Sequence, residues 1–215
     1  MNHSNRKKSS KPIAVLMVPF VGSNTDLCSK THHKPRTDMW KRNLLRDRFV
    51  SELAKALLRD TPKAMKALGL KEKLNLSQMG NPTRVLVLTT TSEQALYLSQ
   101  DLVNWRVLHA MPEEGDSEKK VANIKPLRKC IATLTYACRN RPTCDILVRT
   151  TAGTGKLVWS HGEGRCLLGD KPALIVDIAD STHPGDVDDV NIRRKEYVEQ
   201  GLRVVTVNKA KNVAD

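Results

Sequence analysis

Apolar residues along the chain fall into two alternating kinds of run. Short, nearly unbroken stretches occur at IAVLMVPF (13–20), RVLVLT (84–89), RVLHA (106–110), CIATLTYA (130–137), DILVRT (145–150), ALIVDIAD (173–180) and RVVTV (203–207). Such runs predict strands buried on both faces. Helical patterns lie between them. From a start near Asp38, Trp40, Leu44, Leu45, Phe49, Leu53 and Leu57 recur at three- and four-residue spacing, with Lys41, Arg42, Arg46, Arg48 and Lys55 around them. Thr61-Pro62 interrupts that helix, and a shorter one runs toward Gly69, a C-terminal stop. Thr91 or Ser92 caps a third, which carries Ala95, Leu96, Leu98 and Leu102. Further helices are expected near Ser117 to Ile124, ended by Pro126, and over about Val190 to Gln200. The stretch from Val21 to Thr37, with adjacent His32 and His33, shows no period.

Buried strands alternating with helices predict a doubly wound, mainly parallel α/β sheet. The expected organisation is one α/β domain over 13–207, between a basic tail (1–12) and a polar tail (208–215). Ligands of such sheets sit beyond the carboxyl ends of the strands, which singles out the loops after Thr89, Thr150 and Asp180.

Composition adds a partner class. At 215 residues there is room for one sizeable core. Aromatic residues make up only 4%, so that core rests on Leu, Val, Ile and Ala. The formal charge of +13 concentrates polyanions near the surface, and nucleic acid is the expected one. A solubility role for the charge is the alternative. Cys28, Cys130, Cys138, Cys144 and Cys166 form no C-x-x-C pair, which argues against a zinc ribbon or a secreted disulfide scaffold and for thiols in a reducing cytoplasm. The run at 13–20 is short for a signal peptide, and no stretch approaches the roughly 20 apolar residues of a membrane span, so no membrane partner is expected.

Three stretches offer chemistry. T-A-G-T-G-K-L (Thr151 to Leu157) has the Gly155-Lys156 pair of a phosphate-binding loop, but Thr150 stands at the first glycine position and Leu157 at the metal-binding hydroxyl. That excludes a Walker A motif. Gly153 and Gly155 still allow close backbone approach to a phosphate, and Lys156 adds charge, against the alternative of a plain turn. Asp177, Asp180 and His183, with Asp186, Asp188 and Asp189 beyond, present carboxylates and imidazole for a divalent cation, or merely an acidic loop. His161 has no accompanying nucleophile motif, so no hydrolytic triad is argued. Arg193, Arg194 and Lys195 together read as a solvated helix face.

Taken in order, these pieces resemble the C-terminal RecA-like lobe of superfamily-two (DEAD/DEAH-like) helicases over roughly Asp38 to Val207. WKRNLLRDRF is similar to the helix opening that lobe, and RVLVLTTTSEQALYLSQDL to its first strand and helix, placing Thr89 and Thr90 at a nucleic-acid backbone contact. DILVRTT resembles the family's fifth motif, with Arg149 in place of the usual small residue. The resemblance implies nucleic-acid contact by Thr150 and Thr151 and by the loop bearing Gly153, Gly155 and Lys156. H-G-E-G-R loosely matches the sixth motif and places Arg165 at its first, catalytic arginine, while Leu168 stands where the arginine finger belongs. KPALIVDIAD followed by RRKEYVEQG is similar to the end of some phage and bacterial members.

The first lobe is absent: there is no Walker A motif and no D-E-x-[DH] box. The resemblance therefore implies a nucleic-acid-binding lobe, of DNA or RNA, with ATP as a cofactor only if shared with a partner protein that supplies the missing ATPase lobe. The alternatives are a metal-dependent nuclease or phosphotransferase using Asp177, Asp180 and His183, or a non-catalytic adaptor of the same fold.

Overall fold

A computed structural model describes residues 14–20, 43–70, 83–108, 128–140, 142–150, 172–181 and 184–207. Their elements run β1 (Ala14–Phe20), α1 (Leu44–Arg59), α2 (Thr61–Ala67), β2 (Val85–Thr89), α3 (Ser92–Asp101) and β3 (Arg106–Leu108). They continue through β4 (Lys129–Thr133), α4 (Leu134–Asn140), β5 (Ile146–Arg149), β6 (Leu174–Asp180), α5 (Pro184–Glu199) and β7 (Val204–Thr206). The strands form one seven-stranded sheet in the order β3-β4-β2-β5-β6-β1-β7. Every pairing is parallel.

Parallel strands need both faces covered, and alternate side chains supply both cores. Leu16, Val18, Val85, Val87, Ile146, Val148, Val176 and Ile178 pack with Val50, Leu53 and Leu57 of α1, Met65 of α2, and Ala95 and Leu98 of α3. Their neighbours Val15, Met17, Leu86, Leu88, Leu147 and Ile175 face the other way, against Ala137 of α4 and Tyr197 of α5. The doubly wound sheet expected from the apolar runs is the observed architecture. The edge strands β3 and β7 are three residues each, too short to template much pairing with another chain.

Local signals set most helix ends. The Asn43 side chain caps α1 by accepting from the Arg46 amide at 3.0 Å. Asp60 ends α1 and caps α2 through the Lys63 amide, and Pro62 sits in the first turn, where its missing N–H is not needed. Gly69, at φ 78°, closes α2 as its sequence position predicts, with Gly69 N–H bonded to Lys66 O and Leu70 N–H to Met65 O. Thr91 is the cap of α3.

Three expectations are corrected. Leu44 and Leu45 are 71% and 52% exposed, whereas Arg46 and Asp47 are buried. Extended toward the N-terminus, the inward stripe of Val50, Leu53, Ala54 and Leu57 falls on residues 46 and 47, not on the leucines. The run CIATLTYA is strand only to Thr133, where the Thr133 hydroxyl accepts from the Tyr136 amide at 3.2 Å and starts α4. The last helix begins at Pro184 rather than near Val190. A proline opening and Asp186 in the first turn both favour a helix start there. The helix expected near Ser117 lies outside the described residues.

Cys130 and Cys144 are buried and Cys138 is half-buried. Burial pushes the Cys130 thiol up to about 12, which removes the reactive thiolate at neutral pH. Cys130 is therefore expected to escape iodoacetamide in the folded chain and react after urea unfolding. Mass mapping of the labelled peptides checks this, and native labelling of Cys130 would refute it.

Candidate functional site at the carboxyl edge of the sheet

Parallel register brings three threonines to adjacent strand ends. Thr89 pairs with Thr133 across β2 and β4, and Leu88 pairs with Arg149 across β2 and β5, so Thr150 emerges beside Thr89. All three are buried. The Thr150 hydroxyl donates to Leu88 O at 2.8 Å. The Thr89 hydroxyl lies 3.2 Å from Thr91 O and 3.3 Å from Ala132 O. These side chains serve backbone carbonyls where the ladders end. Thr90 is exposed, and its amide donates to Gln94 Oε1 at 3.3 Å. Thr89, Thr90 and Thr150 thus converge on one edge, with Thr90 facing solvent. Thr151, Gly153, Gly155, Lys156, His161, Arg165 and His183 lie outside the described residues.

Adjacent strands whose following helices lie on opposite faces open a crevice at their carboxyl ends. Among the described residues two such pairs are present: β2 with β4, followed by α3 and α4, and β1 with β6, followed by α1 and α5. A polar chain on the α1 face spans the distance between them. Gln94 Nε2 donates to Asp47 Oδ1 at 3.4 Å. Asp47 lies 3.6 Å from Arg46, and Arg46 lies 3.7 Å from Asp180 at the end of β6. Thr90 is therefore linked through Gln94, Asp47 and Arg46 to Asp180.

These contacts are long for buried charges, and the electrostatics reflect it. Burial lowers the Arg46 pKa against the opposing pull of Asp47 and Asp180. Burial raises the Asp47 pKa more than Arg46 and Gln94 lower it. Asp47 Oδ2 has no hydrogen-bond partner among the described residues. A carboxylate whose folded pKa lies above its unfolded value binds its proton more tightly in the fold. Its contribution to stability therefore falls as pH rises from the ordinary carboxylate range through the folded pKa, and the penalty remains at neutral pH. Asp47→Asn is expected to leave the protein at least as stable as the parent at pH 7, with Asp180 still beside Arg46. The advantage should shrink toward pH 4. Urea unfolding at both pH values tests this, and a variant clearly weaker at pH 7 would refute it.

The opposite face holds a tighter network. Arg193 clamps Asp177 with Nε to Oδ2 at 3.0 Å and NH2 to Oδ1 at 2.8 Å. The Tyr197 hydroxyl donates to Asp177 Oδ2 at 2.7 Å and accepts from Arg149 NH1 at 3.0 Å. Asp177, Arg193, Tyr197 and Arg149 are each 2% exposed or less. Burial opposes the charge on Arg193, but Asp177 more than restores it and its pKa ends above the ordinary value. Burial and Asp177 also raise the Tyr197 pKa, so the phenol keeps its proton and donates.

Two sequence readings change here. Arg193 is buried, so the basic triplet is not a uniformly solvated face, although Arg194 and Lys195 are exposed. Asp177 and Asp180, three residues apart in a strand, point to opposite faces of the sheet, one to Arg193 and the other to Arg46. One ion cannot be held by both, and the metal-dependent nuclease or phosphotransferase reading of Asp177, Asp180 and His183 loses its cluster. Among the described residues no group of three or more His, Cys, Asp or Glu is placed to hold a metal ion. The network had a signal in the sequence: Arg149 and Asp177 are charges inside strands buried on both faces, where each needs a partner.

At the amino edge, Arg84 donates from its amide to Asp145 Oδ2 at 2.8 Å and from NH2 to Oδ1 at 2.9 Å, tying the starts of β2 and β5. No described helix is long and apolar enough to cross a membrane.

No family model matches the chain, and no curated protein does. Among solved structures it is similar to the C-terminal part of the Fun30 ATPase domain, at 10% identity and a TM-score of 0.34. The match covers 71% of this chain and 66% of that one, just under two thirds of its length. A likeness of that size says nothing about individual residues, and the site rests on its own geometry.

Proposed function

We propose that this chain is a nucleic-acid-binding lobe of the helicase C-terminal kind, needing a separate ATP-binding lobe for any motor activity. The observation that carries the reading is the carboxyl edge, where three parallel strands end in internally bonded threonines and leave Thr90 outward beside the N-terminus of α3. Helix N-termini and strand-end loops of parallel sheets favour anions. The segments that follow the carboxyl ends of β1 and β5 carry Lys30, Lys34, Arg36, Lys41 and Arg42, and Lys156 and Arg165, within a chain of net charge +13.

In this reading Thr90 meets the sugar-phosphate backbone, and Thr151, Gly153, Gly155 and Lys156 meet it from the neighbouring segment. Thr89 and Thr150 hold the strand ends in place, a supporting task that suits their buried hydroxyls. Such contacts position the polymer without reading its sequence. Arg165 would face nucleotide held by the partner lobe.

The test is fluorescence anisotropy of labelled single- and double-stranded oligonucleotides across a salt series, without nucleotide. Affinity should fall steeply with salt as counterions are released. Lys156→Ala should lower the slope of log affinity against log salt by about one. Failure to bind either oligonucleotide at low salt would sink the proposal and leave the charge as a solubility feature.

A further inference from the structure

Arg149 ends β5, one position before Thr150 and the segment assigned above to nucleic acid. It is the register partner of Asp177 on β6. Helix α5 packs chiefly against β6 and β7, yet the Tyr197 hydroxyl also bonds the Arg149 guanidinium of β5. The Tyr197 hydroxyl accepts from Arg149 and donates to Asp177, so it closes a circuit from β5 to α5 to β6 and back. Asp177 is already held at both oxygens by Arg193, one helical turn from Tyr197. The task left to the phenol is to fix Arg149.

We infer that Tyr197 is a positioning residue for the end of β5: its hydroxyl holds Arg149 and thereby sets where Thr150 sits at the edge of the sheet. The consequence for binding rests on the nucleic-acid reading, while the structural link does not. Thr150 supplies a local reporter, because its amide donates to Leu88 O at 3.0 Å.

Tyr197→Phe keeps the ring and its packing and removes only the hydroxyl. Hydrogen exchange of the full chain without nucleic acid should show the Thr150 amide exchanging about tenfold faster, the scale of one buried hydrogen bond. Val87 and Ile131, in mid-strand, should be unchanged. An equal rise at all three sites would overturn the inference, because the hydroxyl would then support only global stability. Adding Arg149→Met should make Thr150 exchange no faster in the double variant than in Arg149→Met alone. Additive acceleration would mean that Tyr197 does not act through Arg149, and would also overturn it.

Oligonucleotide binding separates this idea from the one it builds on. Tyr197→Phe should weaken binding several-fold at an unchanged salt slope, since no phosphate contact is lost, in contrast to Lys156→Ala. If the parent binds no oligonucleotide but Thr150 still responds, the nucleic-acid reading fails and the positioning of β5 stands. If the parent binds and the variant binds equally well despite faster exchange at Thr150, the positioning role in binding is overturned.

Discussion

Asp177→Asn is expected to cost the fold about 3–5 kcal/mol, the usual penalty for breaking a buried ion pair from one side. Asparagine fills the same space but carries no charge, so the Arg193 guanidinium stays in the interior without the carboxylate that now takes two of its hydrogen bonds. Tyr197 also loses its charged acceptor. For a chain of this size the loss corresponds to a fall in Tm of roughly 6–20 °C. The asymmetry of buried pairs supplies the control. Asp177→Leu combined with Arg193→Met removes both charges and should recover much of the loss, because an apolar replacement avoids the desolvation of both. Urea unfolding of the parent, the single and the double variant decides it. A single variant within 1 kcal/mol of the parent would mean that the network is not dry, and the account given of it would fail.

Arg46→Met should be comparably damaging at neutral pH, about 3–5 kcal/mol by the same principle, but with a different pH signature. Arg46 lies within 3.7 Å of Asp180 and 3.6 Å of Asp47, all three buried. Removing the cation takes away the attraction that now holds the Asp47 pKa down against its burial, which raises it further. Acids with raised folded pKa values bind protons more tightly in the fold, so stability rises as pH falls through that window. The deficit of Arg46→Met should therefore shrink between pH 7 and pH 5, read by thermal melts of variant and parent at each pH. A deficit independent of pH would show that lost packing, not unmatched charge, is the cause.

The two networks differ in how visible they were. Arg149 and Asp177 stand out in the sequence as charges within apolar runs, so a need for partners was legible, although the partners were not. Arg193 looked like one of three exposed cations, since nothing in a basic triplet says which member turns inward. On α1 the apolar spacing misled. Leu44 and Leu45 continue a three-four pattern as well as Arg46 and Asp47 do, and hydrophobicity alone favours the leucines. What reverses the choice is Asp180 and Gln94, from β6 and α3, meeting the polar pair at the sheet's edge. The Asp177, Asp180 and His183 cluster failed for a related reason: closeness in sequence suggested closeness in space, whereas a strand alternates its side chains.

The sequence by itself determined the class of fold and most of its elements. Unbroken apolar runs and capped, periodic helices are local consequences of burial and hydrogen bonding, and need no knowledge of neighbours. It also determined the chain's charge and the lack of a complete ATPase signature. Strand order, and with it which strand ends lie together, was decided only by the tertiary structure. So were the burial of the Thr89 and Thr150 hydroxyls against backbone carbonyls, and the division of the acidic residues between the two faces. Each depends on pairings between residues far apart in the chain, where side-chain direction and partner charge decide the outcome and local composition does not.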